Sequence, residues 1–388
     1  MLRLGRLAWL APLAALVLLA GCGGGPSKRE NVQPPAELQK ISPEIELQRV
    51  WSRSVGKGER RTGLRQRPAA GGGRLYFGSS RGDVVALDVE TGREVWKQRF
   101  EGLRFGGSPA YGESTLVLPT LDGVVVALNP DNGQERWRAR VSSEVIAAPA
   151  IGRGLVVVRA NDGRAFAFSA TSGERRWVHD RSIPTLSLRG NSPPLIVETA
   201  VFLGYDDGSV VALRLDAGTP VWEQTVGTSE GRTDLDRMSD VDGEMAFDQG
   251  LLYATSYRGQ AVALEATSAR PLWNRELSSY GGVSLAGEQL LVADARGVVW
   301  ALDRRTGSAL WRNEDLGYRW LTTPVAHGGH VAVGDVEGFI HWLDSSDGRT
   351  IARQRLGKRP IRATPLVVGD LLLVTSTWGD VAAYRLRP

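Results

Sequence analysis

The 388-residue chain has a single cysteine, Cys22, so no disulfide can form within it. Histidine is scarce too: only His179, His327, His330 and His341 occur. His327-Gly-Gly-His330 is the one close pair, and no Cys or Glu cluster joins it to make a metal ligand set. It reads as a loop pair. Net charge is small. The formal value is +4, and leaving out Arg3 and Arg6 makes it +2, which is no footprint for a nucleic acid. No G-x-S-x-G string opens a helix as a nucleophile elbow does, since the two that occur, 78–82 and 227–231, lie in a turn and a connection, and there is no Walker A phosphate loop. Carboxylates such as Asp303 and Asp344 fall in turns, where they cap backbone N–H groups and form no acid–base pair. No helical periodicity interrupts the pattern described below. These absences argue against a disulfide scaffold, a nucleic-acid binder, the common hydrolases and a helical fold.

The first residues are a leader. Arg3 and Arg6 are basic, and Leu7–Ala20 is apolar, too short for a membrane span. The stretch Leu19-Ala20-Gly21-Cys22 resembles the lipobox of bacterial lipoproteins. That resemblance implies removal of residues 1–21 as a lipoprotein signal peptide and a diacylglycerol on Cys22. Position 23 is Gly and not the Asp that retains many lipoproteins in the inner membrane, which implies the periplasmic face of the outer membrane. The alternative is an ordinary signal peptide with a chance cysteine. Residues 22–43 carry Gly23-Gly24-Gly25-Pro26 and Pro34-Pro35 and read as a flexible, lipidated tether.

Glycine (47) and tryptophan (12) are abundant, and both recur in one motif. VALDVETGREVW (85–96) returns as VALNPDNGQERW (126–137), FAFSATSGERRW (166–177), VALRLDAGTPVW (211–222), VALEATSARPLW (262–273) and WALDRRTGSALW (300–311). HWLDSSDGRTIA (341–352) has Ala352 in the Trp position, and an eighth copy starts at Ala382. Apolar runs alternate with X-Gly turns, which are hairpin signals. Four short strands in a repeat of about 40 residues make a β-propeller blade. The expected fold is therefore all-β: an eight-bladed β-propeller of four-stranded antiparallel blades over residues 44–388.

The small Ala of each copy and the large Trp at its end suggest a ring packed over a small residue between neighbouring blades. An indole buries about 150–250 Å² and needs a partner for its N–H. The docking set is Trp96, Trp137, Trp177, Trp222, Trp273 and Trp311. The eighth copy has no outer strand of its own, whereas Ile45–Trp51 alternates like a strand. Trp51 is expected to complete the last blade from the N-terminal side, closing the ring and removing an exposed sheet edge. The pattern Ala-X-Asp-X-X-X-Gly-X-X-X-Trp resembles the tryptophan-docking motif of pyrroloquinoline-quinone (PQQ) propeller repeats across residues 64–388. Ala269 for Gly, Ala352 for Trp, and Ser169, Arg214 and Glu265 at the acidic position depart from it, and each is expected to weaken one docking.

The repeats stretch in two places. The Trp spacing is 41 (96→137), 40 (137→177), 45 (177→222), 51 (222→273) and 38 (273→311). The extra residues form two connections, 179–194 and 227–243, on adjacent blades and one face. Non-repeating loops on a rigid scaffold are where function sits. The first contains Leu186, Leu188 and Arg189, and the second Asp234, Asp236, Arg237, Asp240 and Asp242. SLSLRG in one loop and LDRMSDVDG in the next resemble the propeller lipoprotein family of the β-barrel assembly machinery. The resemblance implies that Leu186, Leu188, Arg189, Asp240 and Asp242 contact the periplasmic POTRA domains of the barrel subunit. Gly-Glu-Met-Ala after Asp242 fits that pattern less well. Physically, the leucines are apolar anchors, Arg189 is a fork-shaped donor, and the aspartates either pair with a basic partner or hold the loop.

The implied function is a scaffold without catalysis, cofactor or metal that aids folding and insertion of outer-membrane β-barrel proteins. Unfolded clients could add strands at blade edges. Three rivals share the fold: a generic periplasmic scaffold, a ligand sensor reading its channel, and a PQQ-dependent dehydrogenase. The last resembles enzymes that carry an adjacent-cysteine disulfide, which one cysteine cannot supply.

Overall fold

Each β-branched run ends at a glycine turn, so the chain folds back on itself as soon as a strand is complete. In the computed structural model, which describes residues 33–387 except 57, 59–62, 183, 185–189, 191 and 228–237, these runs form strands β1 (Leu47–Ser54) to β32 (Asp380–Leu386). They pair into eight four-stranded antiparallel sheets. Blade 1 is β2 (Ala69–Gly71), β3 (Arg74–Gly78), β4 (Asp83–Asp88) and β5 (Glu94–Arg99), from inside to outside. Blades 2 to 7 repeat it over 110–140, 150–179, 195–225, 246–276, 283–313 and 325–355. Blade 8 takes three strands from 366–386, and β1 supplies its outermost strand, paired from Leu47↔Leu386 to Ser54↔Asp380. The chain is thus an all-β, eight-bladed propeller closed by its N-terminal strand.

The core is a ring of interfaces and has no single centre. One cluster joins Val117, Val125 and Trp137 of blade 2 to Val156, Phe166 and Phe168 of blade 3, and the other interfaces repeat the scheme. The tryptophans lock these interfaces from outside. A bulge in each outer strand pair leaves one residue unmatched, so that Trp96 lies opposite Ala86 while Leu87 faces Glu94. The indole N–H groups of Trp51, Trp96, Trp137, Trp177, Trp222, Trp273 and Trp311 each donate to a carbonyl of the following blade at 2.8–2.9 Å. Each acceptor lies just beyond that blade's Ala-X-Asp position. The ring also covers the turn glycine of that blade. A Cβ built on Gly133 would stand 2.6 Å from the Trp96 ring, and its φ of +73° strains any other residue. Ala269 adopts φ +60° in the equivalent slot, yet Trp222 still reaches Ala266 O at 2.9 Å.

Two expectations need correction. Ala352 does not cost blade 7 its tether, because the residues have changed places. Trp342 stands in the small-residue slot, opposite Ala352, and is fully buried. Its N–H donates to His327 Nδ1 at 3.1 Å, which leaves His327 Nε2 to donate to Asp370 O of blade 8 at 2.9 Å. The Trp342 ring also meets Tyr384 of blade 8 edge-on, centroids 5.9 Å apart. In blade 8 the strand beside β32 is β1, so no Asp-to-Gly turn joins the two, and an eighth ordinary docking has no turn to cover. His327 is accordingly a buried strand residue and no member of a loop pair; burial pulls its pKa down.

The second correction concerns the tether. Residues 36–44 lie along blades 6 and 7. Ala36 N donates to Gly317 O and Glu44 N to Ile351 O, both at 2.9 Å. Arg353 Nη1 donates to Gln39 O at 3.1 Å, and Leu38 packs on the core between these blades. Composition reads this stretch as unstructured because it is held largely through its own backbone, by groups of distant blades. The compact unit begins at Pro35.

Candidate functional site

Strands alternate in direction, so connections between blades share one face with the turns between second and third strands. On that face two loops meet. Gly190 of the first has its Cα against the Asp242 carboxylate of the second; a Cβ there would stand 2.5 Å from Asp242 Oδ2. Ser192 Oγ donates to Gly243 O at 2.9 Å. Residues 190 and 192–194 therefore form one surface with 238–245. Leu186, Leu188 and Arg189 lie outside the described residues, as do Asp234, Asp236 and Arg237. Asp240 is fully buried, and its carbonyl accepts from Tyr257 N at 2.9 Å. Asp242 keeps part of its surface on the channel mouth, but its Oδ1 is sealed off and meets no donor.

Beneath the loops lies a charged group that motif reasoning missed. Arg159, at the end of a blade 3 strand, is fully buried and donates through Nη2 to Asp206 Oδ1 at 2.6 Å. Its guanidinium lies 4.8 Å from the centre of the Tyr205 ring. Arg181, at the start of the first loop, sits 4.5 Å from the same ring and donates to Asp207 (2.5 Å), Ser209 (2.8 Å) and Glu223 (2.7 Å). Tyr205 is held by two cations, and burial pushes its hydroxyl up to about 12. Its backbone carbonyl accepts from Val241 N at 3.0 Å, tying the second loop to the same support. The sequence did contain a signal. The slot of Arg159 holds Gly78, Pro119, Gly204, Thr255, Ala293, Gly334 and Thr375 in the other blades, and Tyr205 is the one aromatic where they have Ser, Thr, Ala or Asp.

Asp242 is the group whose charge this site resists. Burial, and then the negative charges of Asp240 and Asp206, push its carboxyl up to about 8. An ordinary aspartic acid titrates near ~3.9. The unfolded chain therefore gives up this proton near pH ~4 while the folded chain keeps it until about 8. Stability from this residue is full below pH ~4 and falls as pH rises through that window, by something on the order of a few kcal/mol. Asp242→Asn should unfold at the same urea concentration as the natural chain near pH ~4 and at a higher one above pH ~8. Parallel pH profiles for the two proteins would refute it.

The channel mouth is crossed by Arg67 of blade 1 and Glu244 of blade 5, 3.1 Å apart and on opposite sides of the ring. Among the described residues no cluster of His, Cys, Asp or Glu could hold a metal ion.

The family model described as outer membrane protein assembly factor BamB matches residues 46–103, 102–313 and 295–387. The chain belongs to the BamB family. The BamB of Xanthomonas campestris is 46% identical over 385 residues, 95% of each chain. The crystal structure of BamB from Moraxella catarrhalis superposes with a TM-score of 0.80 at 29% identity, covering 88% of this chain and all of that one. A quinohemoprotein alcohol dehydrogenase from Pseudomonas putida HK5 superposes with a TM-score of 0.71 at 14% identity, over 89% of this chain and 78% of that one. That likeness is one of fold alone. The BamB match also separates this propeller from the enzymes built on the same blades, and the chain is not an enzyme.

Proposed function

We propose that this chain holds the POTRA domains of the barrel subunit through its two long loops, as a lipid-anchored scaffold on the periplasmic side of the outer membrane. The coarser statement, a scaffold role in outer-membrane protein assembly, follows from membership of the BamB family. The observation that supports the finer one is the junction of the two loops at Gly190 and Asp242 over the Arg159–Asp206 pair. It joins the described ends of the two insertions into one surface. In this reading Leu186, Leu188 and Arg189 touch the partner. Asp240 and Asp242, whose carboxylates are enclosed, act by holding the loops. Cys22 carries the lipid.

Leu188→Ala combined with Arg189→Ala should abolish co-purification with the barrel subunit from gently solubilised membranes while leaving the melting temperature unchanged. Each buried leucine anchor accounts for about 1.5–3 kcal/mol, so losing one with the arginine lowers affinity by two orders of magnitude or more. Undiminished co-purification sinks the assignment.

A further inference from the structure

Three aromatic residues on the same face, outside the two loops, are exposed. Trp320 is 57% exposed, Tyr318 42% and Trp378 41%. Tyr318 and Trp320 have φ of +56° and +51°, a left-handed backbone that bulky side chains rarely adopt. The cause lies between them. Arg319 is 2% exposed and donates through Nε to Asp335 Oδ2 at 2.7 Å, through Nη1 to Ala36 O at 2.6 Å, and through Nη2 to Glu337. Asp335 is itself held by His341 Nε2 at 3.0 Å, and His341 Nδ1 accepts from Arg353 Nε at 3.1 Å. This buried network fixes Arg319 inward and so turns both neighbours out. Backbone strain maintained by its surroundings, with rings presented to solvent as the result, is an observation from which function is inferred.

Cations gather around these rings. Arg65 donates to Tyr280 O at 2.6 Å, and its guanidinium lies 5.1 Å from the centre of the Tyr280 ring. The Tyr280 ring is 6.4 Å from Trp320. Arg359 stacks on Trp378 at 3.5 Å, and Thr377 N donates to Pro360 O at 2.9 Å, which lays the 359–362 segment along the Trp378 turn. Arg65, Lys358, Arg359 and Arg362 are exposed, and among the described residues none has a carboxylate at ion-pair distance. Several carboxylates of this face are engaged elsewhere, Glu244 with Arg67, Asp294 with Arg296, Glu337 with Arg319 and Asp380 with Ser376, while Asp242 shares the channel mouth with Arg65. Arg65 also lines the channel mouth together with Gly281 and Thr364. Arg65 thus stands at a concave opening, which an extended chain follows more closely than a flat bilayer does.

We propose that this strip, running from Trp320 past Tyr280 and Arg65 to Trp378, docks an acidic segment of a partner polypeptide. Its carboxylates meet the guanidinium forks of Arg65, Arg359 and Arg362, and its apolar side chains lie on the two indoles. The strip belongs to blades 6 to 8 and their connections, whereas the long loops belong to blades 4 and 5. It is a second docking site, which meets the first only at the channel mouth, where Arg65 and Asp242 line the same wall.

The test uses the purified full chain and a fluorescently labelled copolymer of glutamate and tyrosine, followed by anisotropy. A lysine–tyrosine copolymer and phosphatidylglycerol vesicles serve as comparisons. The glutamate copolymer should bind, weaken as salt rises, and bind about tenfold more weakly to Trp320→Ala or Arg362→Ala. Arg362→Lys should recover part of the loss, since the charge remains and the fork does not. The Leu188→Ala, Arg189→Ala variant should bind like the natural chain. Unchanged melting temperatures establish that the variants fold, and Arg362→Ala, at an exposed position, carries the test if Trp320→Ala does not. Absence of binding, equal binding by all variants, loss of binding in the Leu188, Arg189 variant, or Trp320-dependent capture of vesicles in place of the copolymer would each overturn the proposal.

Discussion

A chain lacking residues 44–55 should melt on the order of 10 °C or more below the natural protein, and over a broader range. Those residues contribute the whole of β1. Seven residue pairs join it to β32, and Trp51 is 7% exposed between blades 8 and 1. Loss of a buried aromatic ring alone costs about 3–5 kcal/mol. The deletion also removes the indole bond to Val89 O and leaves β32 as an open edge. In a propeller each blade packs its apolar core only against its neighbours, so one broken junction turns a ring into an open array that frays from both ends. Trp51→Phe separates the terms. It keeps most of the buried area and loses only the hydrogen bond, so it should cost about 1 kcal/mol. Adding a synthetic peptide of residues 44–55 to the truncated chain should restore much of the melting temperature. Equal melting of truncated and natural chains would mean that the junction carries no stability.

The closure was legible because the repeat is counted in tryptophans. Seven docking residues follow from a pattern that packing imposes on every blade: a small residue beneath, a glycine turn beside, a ring on top. What the sequence hid was compensation. Trp342 and Ala352 each break the pattern when read alone, and only the pairing of their strands shows that they exchange roles. Arg159 and Tyr205 were hidden for a related reason. Each is one unusual residue in a repeated slot, and the eye follows the slots that agree. Arg159 sits in blade 3 and its carboxylate partner in blade 4, 47 positions on, so no local motif contains both. The loops announced themselves by length alone. Their meeting at Gly190 and Asp242 depends on the ring bringing two insertions side by side, which spacing can suggest and only the fold can make specific. Residues 36–44 failed for the opposite reason: composition describes side chains, and this segment is held largely through its backbone.

The exchange in blade 7 makes a prediction that ordinary repeat reasoning contradicts. Trp342→Ala with Ala352→Trp restores the motif to the consensus of the other blades. A consensus change at a repeat is usually stabilising or neutral. Here it should destabilise by about 3–5 kcal/mol, close to Trp342→Ala alone. The reason is the absence of a receiver. In the other blades the indole reaches a carbonyl beyond the Ala-X-Asp position and covers a turn glycine. Blade 8 offers no such turn, because β32 is flanked in space by β1. A tryptophan at 352 would therefore lack its usual seat. Meanwhile the space left by Trp342 opens beside Tyr384, and His327 Nδ1 loses its donor at the centre of the link to Asp370 O. Trp342→Phe should cost less, since the ring contact with Tyr384 survives and only the hydrogen bond to His327 is lost. Urea unfolding of the three variants orders them: Trp342→Phe nearest the natural chain, the single Trp342→Ala and the double variant together far below it. A double variant as stable as the natural protein would show that blade 8 can receive an ordinary docking after all.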